Sequence, residues 1–327
     1  MSIEIIEESL KNLRDYYAPR RNLLEWPCVF MLPGWLEAWW HSFGDGYRPM
    51  VAVILEDGAP IGIAPLKIKD GAAYFIGDNS VCDYLDFITV PGKEQLFSRE
   101  LLDYLRSMPE IDSVVLETLR PDSVALGAFI GEAQALGLRT ACEPIDVSYE
   151  MALPANWDDY LLSLEGAQRR DFDRKLRQLE AVAEVRFNVL HDGEIEDCHL
   201  ETLFSMMANS RGDKAKFLTA PMQSYFRSLA SHLASYGVLR LGFLDVGVAR
   251  AAAVLYFEYG DGFFLYNSGY EQGYAPRSVG LLSKLLSIRH AVESGKNRYD
   301  FLKGAEPYKD RMGGRPVELY CCSISLR

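Results

Sequence analysis

Histidine and cysteine are scarce in this chain, with five and six among 327 residues. No Cys-x-x-Cys pair occurs and no histidine stands at ligand spacing, so a zinc site has no support and no metal is expected. Cys28, Cys82, Cys142, Cys198, Cys321 and Cys322 are scattered, which reads as free thiols of a cytoplasmic protein rather than a disulfide framework. No apolar run has the length needed to cross a bilayer, and Met1–Asn12 lacks the core of a signal peptide. Positive charge is in deficit: 34 Lys and Arg against 46 Asp and Glu leave a formal charge of −12. That balance argues against a broad nucleic-acid footprint and against DNA as a partner. No nucleophile elbow and no Ser-His-Asp order is visible, so direct attack on a substrate is expected rather than a covalent enzyme intermediate.

What is present suits two well-folded domains, since nearly half the residues are apolar and the length is generous for one core. The chain is organised around Phe263–Gly314. An apolar strand (Phe263–Tyr266) leads into a loop with Gly269, Gly273 and Pro276. Val279, Leu282, Leu285, Leu286 and Val292 then repeat at helical spacing, with Ser278 placed as N-cap and Gly295 as the C-terminal stop. A short strand, Tyr299–Leu302, follows. Strand, loop, helix, strand is a device for holding an anion, because the first N–H groups of the helix lack internal partners and sit at its positive end. Arg277 would add a charge able to grip phosphate.

Upstream, a helix is expected over Leu32–Phe43, with Trp35, Trp39 and Trp40 wedged into a core. Strands at Met50–Leu55, Ile61–Ile68 and Ala72–Ile76 are joined by Asp57-Gly58 and Asp70-Gly71, the dipeptides of tight hairpins. A helix (Gln95–Arg106), a strand (Ser113–Glu117), a helix (Asp122–Leu136) and a strand (Ile145–Leu153) complete a first domain over 1–150. The second, 151–327, opens with a single helical stretch, Asn156–Ala183, whose Arg170, Arg174 and Arg177 share a face. Two further helices flank a polar loop at Ser210–Lys216, and a second meander runs through Val238–Leu244, Ala251–Tyr259 and Gly262–Tyr270. The two meanders superpose as sequences: Val53–Ile61 matches Gly242–Arg250, and Asp70-Gly71 matches Asp261-Gly262. A long-period match of this kind indicates two copies of one α/β unit.

Several motifs resemble a known family. Trp39-Trp40 with Phe43-Gly44, Ile61–Leu66 and Tyr84-Leu85-Asp86 are similar to the first half of the FemAB-like, CelD-like acetyltransferases of the GNAT superfamily. The arginine-rich helix, Pro276-x-Ser278-x-Gly280 and Tyr299–Lys309 are similar to the second half. The resemblance implies an α/β (α+β) protein of two tandem GNAT-like domains, each a mixed, largely antiparallel sheet flanked by helices, with the first a degenerate cleft wall. It implies an N-acyltransferase moving an acyl group from acyl-CoA to an amine or hydroxyl of a sugar, cell-wall or polysaccharide-related acceptor. The alternatives are an aminoacyl-tRNA-dependent transferase, which the acidic balance disfavours, and a non-catalytic binding module. Tyr274, Ala275, Pro276, Arg277, Ser278, Val279 and Gly280 would hold the donor. Asp300, inside an apolar strand, is the first choice of base and Glu306 the second; Lys309 would hold a phosphate or oxyanion, and Tyr308 would give the leaving thiolate its proton. Tyr266, Ser268, Tyr84, Asp86, Arg170 and Arg174 are the remaining candidates for contact with substrate.

Overall fold

Asp57-Gly58 and Asp70-Gly71 take paired left-handed dihedrals (φ 48° and 82°, 50° and 78°) and so turn residues 48–75 into three antiparallel strands. The computed structural model describes residues 2–17, 23–210 and 212–327. It divides into two compact units, 1–147 with 317–327, and 148–316.

In the first unit β1 (Ile3–Glu8), β2 (Arg48–Glu56), β3 (Ala59–Lys69) and β4 (Ala72–Phe75) form an antiparallel meander, and the two-residue β5 (Ile88–Thr89) pairs with β3. β6 (Ser113–Leu119) joins β4 in parallel. Helices α1 (Leu13–Tyr16), α2 (Pro33–Phe43), α3 (Glu94–Ser107) and α4 (Ile130–Ala135) accompany the sheet, and α3 packs on β2 and β3. Trp35 and Trp39 of α2 are fully buried, and Trp39 donates its indole N–H to Asp78 (2.8 Å).

β7 (Thr140–Ala152) carries the chain into the second unit. There α5 (Trp157–Ser163), α6 (Gly166–Glu180), β8 (Val185–His191), α7 (Asp197–Ser210), α8 (Gly212–Phe217) and α9 (Ala220–Leu233) lead to the second meander. That meander comprises β9 (Leu239–Val246), β10 (Ala249–Tyr259) and β11 (Gly262–Tyr270), and β8 adds to its edge beside β9. α10 (Val279–Glu293), β12 (Arg298–Lys303), α11 (Pro307–Arg311) and β13 (Arg315–Ser325) complete the chain. An aromatic ladder crosses this sheet: Tyr256 stacks on Phe263 (4.0 Å between centroids) and Phe263 on Tyr299 (4.6 Å). The Tyr299 hydroxyl meets Ser287 of α10 at 2.7 Å. Rings of that size stacked over three strands contribute well beyond their area and fix α10 on the sheet.

The two sheets have one strand order. The first runs β1-β2-β3-β4-β6-β13 and the second β8-β9-β10-β11-β12-β7, each with a single parallel pair, β4 with β6 and β11 with β12. Even the distortions repeat, since Thr118 of β6 and Leu302 of β12 both have left-handed backbones (φ 57° and 59°). The duplication is real, but its register is one residue from the sequence match. Asp57-Gly58 corresponds to Gly247-Val248, and Asp70-Gly71 to Gly260-Asp261.

Other expectations change. The final strand β13 joins the first unit from Val317 onward. The long basic helix is broken at Leu164-Glu165, where both residues adopt extended dihedrals (ψ 151° and 139°). The polar stretch at 210–216 is not a loop but the end of α7 and most of α8, although its Arg211 lies outside the described residues. The free-thiol reading is also corrected: Cys142 of β7 and Cys322 of β13 form a disulfide. They stand 180 positions apart on neighbouring strands, a proximity that no local spacing announces. Cys28, Cys82, Cys198 and Cys321 are free.

Candidate functional site

The second unit opens a cleft of about 310 Å³ where the parallel strands β11 and β12 part. Their ladder runs from Gly262–Arg298 to Phe264–Asp300 and then stops, while β12 stays paired on its other side with β7, from Arg298–Ala152 to Lys303–Ser148. Ser268 and Tyr270 of β11 line one side, Glu306 and Tyr308 the other, and the head of α10 (Ser278, Gly280, Leu281, Lys284) closes the end.

The α10 terminus is built unusually. Ser278 does not cap with its side chain, as the sequence reading expects; it sits in the left-handed region (φ 57°, ψ 30°). A side-chain N-cap needs extended dihedrals, whereas Ser278 must reverse the chain out of the 3-10 turn Gln272–Arg277. Its carbonyl accepts the N–H groups of Leu281 and Leu282 (2.9 Å each). The N–H groups of Val279 and Gly280 are then the two to which the helix offers no internal acceptor. Gly280 is fixed by packing, because a Cβ there would lie 2.7 Å from the Tyr270 ring. Tyr270 in turn donates to the Ser210 carbonyl at the end of α7 (3.2 Å). Gly269 lets α7 approach to backbone distance: a Cβ would meet Met206 and Met207 main-chain atoms at 2.4 Å. Lys284 reaches back along the helix, donates to the Gly280 carbonyl (2.8 Å) and lies 5.0 Å from the Tyr308 ring. It puts a cation beside the positive end of the helix.

On the opposite wall the turn after β12 is ordered by Lys309. The Lys309 residue is 1% exposed, and its ammonium donates to the carbonyls of Leu302 (2.9 Å), Lys303 (2.7 Å) and Gly304 (2.9 Å). It also pairs with the Glu306 carboxylate at 3.0 Å. An ammonium has three protons, so this one is committed to the turn, and it does not line the cleft. Asp300 is likewise withdrawn: it is fully buried, and one carboxylate oxygen accepts the Leu302 N–H (2.8 Å), which supports the left-handed backbone at Leu302. The sequence reading makes Asp300 the first-choice base and Lys309 an anion holder. Among the described residues neither lines the cleft, because both side chains are buried against the turn after β12.

Of the other expected residues, the cleft gathers Ser268, Ala275, Ser278, Gly280, Glu306 and Tyr308. Tyr274, Pro276 and Arg277 lie in the preceding 3-10 turn and Val279 is buried in the core; none lines the cleft among the described residues. Arg277 is exposed, so Lys284 is the cation at the helix head that the sequence reading missed. A lysine four residues after the glycine of the helix's first turn was the available signal. Tyr266 is the extra residue of a bulge opposite Leu255 and Tyr256, and its ring packs on Phe226 and Phe257. Arg174 is paired with Asp171 (2.6 Å), which also takes Lys175 and Arg311, while Arg170 is exposed.

Tyr84 and Asp86 belong to the buried interior of the first unit. Asp86 accepts the N–H groups of Phe87 (2.8 Å), Val124 (2.9 Å) and Ala125 (2.8 Å), capping the helical segment that starts there. Burial pushes its carboxyl up from 3.8 to about 7, against the pull of those three donors. Asp86→Ala is expected to lower stability by at least about 1–3 kcal/mol by stranding buried donors. Because the folded pKa is raised, the stability this group contributes is full at low pH and is lost as pH rises through about 7. Thermal unfolding across pH checks both, since the variant should lack that fall.

For metal, Glu196, Cys198 and His199 place one ligand atom each within 4.8 Å of one another, but none lines the cleft. Among the described residues no helix is long and apolar enough to cross a membrane.

Residues 166–310 match the sequence profile described as "Acetyltransferase (GNAT) domain". The second unit therefore resembles a GNAT acetyltransferase domain over most of its length. The whole chain has the tandem architecture of FemX, to whose crystal structure it aligns with a TM-score of 0.65 at 14% identity, over 97% of this chain and 96% of that one. L-PGS from Bacillus licheniformis aligns with a TM-score of 0.58 at 11% identity, over 89% and 91%. A conserved protein of unknown function from Bacteroides thetaiotaomicron gives 0.58 at 10% identity, over 99% and 100%. These likenesses establish the fold. Comparison with curated protein sequences returned no match. In GNAT terms, the cleft between β11 and β12 is the domain's candidate active site, and the head of α10 is its candidate donor loop.

Proposed function

We propose that the GNAT domain transfers an acyl group from acyl-CoA to an amine or hydroxyl of a sugar, cell-wall or polysaccharide-related acceptor, by direct attack. The supporting observation is that one cleft holds both a helix head with a cation beside it and a carboxylate with a tyrosine across from it. The Val279 and Gly280 N–H groups and the Lys284 ammonium would receive the donor's pyrophosphate. Glu306 would take the proton that the attacking nitrogen or oxygen loses as it bonds to the thioester carbonyl carbon. The C–S bond then breaks, and Tyr308 would give its proton to the leaving thiolate. The thioester is already activated, so alignment of the two substrates supplies much of the rate.

Calorimetric titration with acetyl-CoA and longer acyl-CoAs tests the donor half of this reading. Binding is expected to weaken about tenfold in Lys284→Met, the order of one charge-assisted contact, and to weaken with added salt. A folded protein that binds no acyl-CoA would overturn the proposal.

A further inference from the structure

The first unit has its own cleft, of about 260 Å³, at the equivalent parting of β4 and β6. The GNAT reading gives it no task. Its walls carry Lys67 and Lys69 from β3, Asp70 from the turn after it, Tyr74 from β4, Glu117 from β6, and Tyr47 and Asp78 from the flanking segments. Side chains two apart on a strand share a face, so both lysines are directed to the same side of β3.

Lys67 is an unusual resident. The residue is 4% exposed, yet it has no contact ion pair among the described residues; its ammonium donates to the Gly77 carbonyl and lies 3.9 Å from the Trp39 ring and 4.9 Å from that of Tyr47. Lys69 also lies 4.9 Å from the Tyr47 ring. Asp78 is within electrostatic reach of Lys67, but its two oxygens are taken by the Trp39 indole and by Ser80. Glu117 also acts on Lys67 through space, yet it enters no ion pair and no side-chain hydrogen bond among the described residues. One cleft therefore holds a buried cation and a carboxylate that sense each other without touching. Burying an ammonium without a matched anion is costly, and here burial pulls Lys67 down from 10.5 to about 8 even with Asp78, Cys82 and Glu117 acting the other way.

We propose that this cleft is a second ligand site, and that it takes a small zwitterion of the amino-acid class. The ligand's carboxylate would meet Lys67, with Lys69 behind it, and the ammonium would meet Glu117. Tyr47 and Tyr74 would flank the carbon skeleton. A zwitterion supplies each charged wall with the partner it lacks, which a simple anion cannot do beside Glu117 and a simple amine cannot do beside Lys67.

The test is calorimetric titration of the full chain with the common amino acids at millimolar concentration, each beside its des-amino acid and its decarboxylated amine. At least one amino acid is expected to bind, with each single-charge analogue at least about tenfold weaker. Glu117→Gln should abolish the preference over the des-amino acid, and Lys67→Met the preference over the amine. Affinity should fall as pH rises above about 8, as Lys67 loses its proton. If Lys67→Met does not fold, the analogue series and Glu117→Gln still decide. The proposal fails if no amino acid binds, if a bound amino acid shows no preference over its analogues and no loss in Glu117→Gln, or if acetyl-CoA displaces it, which would place it in the other cleft.

Discussion

Glu306→Gln is expected to lower kcat by ~10²–10⁴-fold, the range for removal of a positioned base, with little change in acyl-CoA affinity. Glu306 lines the cleft across from the head of α10, and its side chain is 40% exposed, so the carboxylate meets both Lys309 and the open space where an acceptor would enter. Glutamine keeps the size and still offers Lys309 an oxygen, so the turn should survive and the effect should be chemical. The rate of acyl transfer measured against pH is the decisive reading: the wild-type limb that reports the base should vanish in the variant. Transfer at wild-type rate in Glu306→Gln would falsify the role assigned to this carboxylate and send the search for the base elsewhere in the cleft.

Lys309→Met should be the most damaging single change to stability in this region, at about 3 kcal/mol or more, because three buried or half-buried carbonyls lose their donor at about 1–3 kcal/mol each. The ammonium ties together three successive carbonyls and the Glu306 carboxylate. Without it, three carbonyls lose a donor and the wall of the cleft loses its shape. Arginine should not rescue, because a planar guanidinium cannot converge on these acceptors as a compact ammonium does. In a scanning calorimeter the fall should be roughly 10 °C for a unit of this size. Binding of acyl-CoA should outlast turnover, since the α10 side of the cleft is untouched. Unchanged stability would show that the cluster does not organise the turn.

These two residues also show how far the sequence could be read. That Phe263–Gly314 supplies most of the cleft lining was legible, because strand, glycine loop and helix announce themselves through changes of period and through turn residues. Asp57-Gly58 and Asp70-Gly71 placed the hairpins for the same reason: their chemistry is local. The direction of a side chain at a kink is not local. Asp300 reads as an odd charge in an apolar strand, which is correct, but whether it turns inward to Leu302 or outward to a cleft depends on a left-handed residue two positions away. Lys309 has the same ambiguity, settled by carbonyls from a turn five to seven residues upstream. Lys284 draws no notice in the sequence, since its meaning comes from where its helix begins. The Cys142–Cys322 bridge and the edge strand Val185–His191 depend on pairings made far along the chain, which no local period encodes.

The arrangement of the outermost strands bears on how the protein is made. The ribosome delivers β1 to β6 before the second unit, but their sheet is finished by β13, which is made after it. Nascent chains usually settle domain by domain from the amino end; here the first-made unit must wait, with one side of β6 unsatisfied, until β13 has been synthesised. The later half needs no such delay, because β7 has already emerged when β12 arrives. Assembly should therefore finish in the reverse of the order of synthesis.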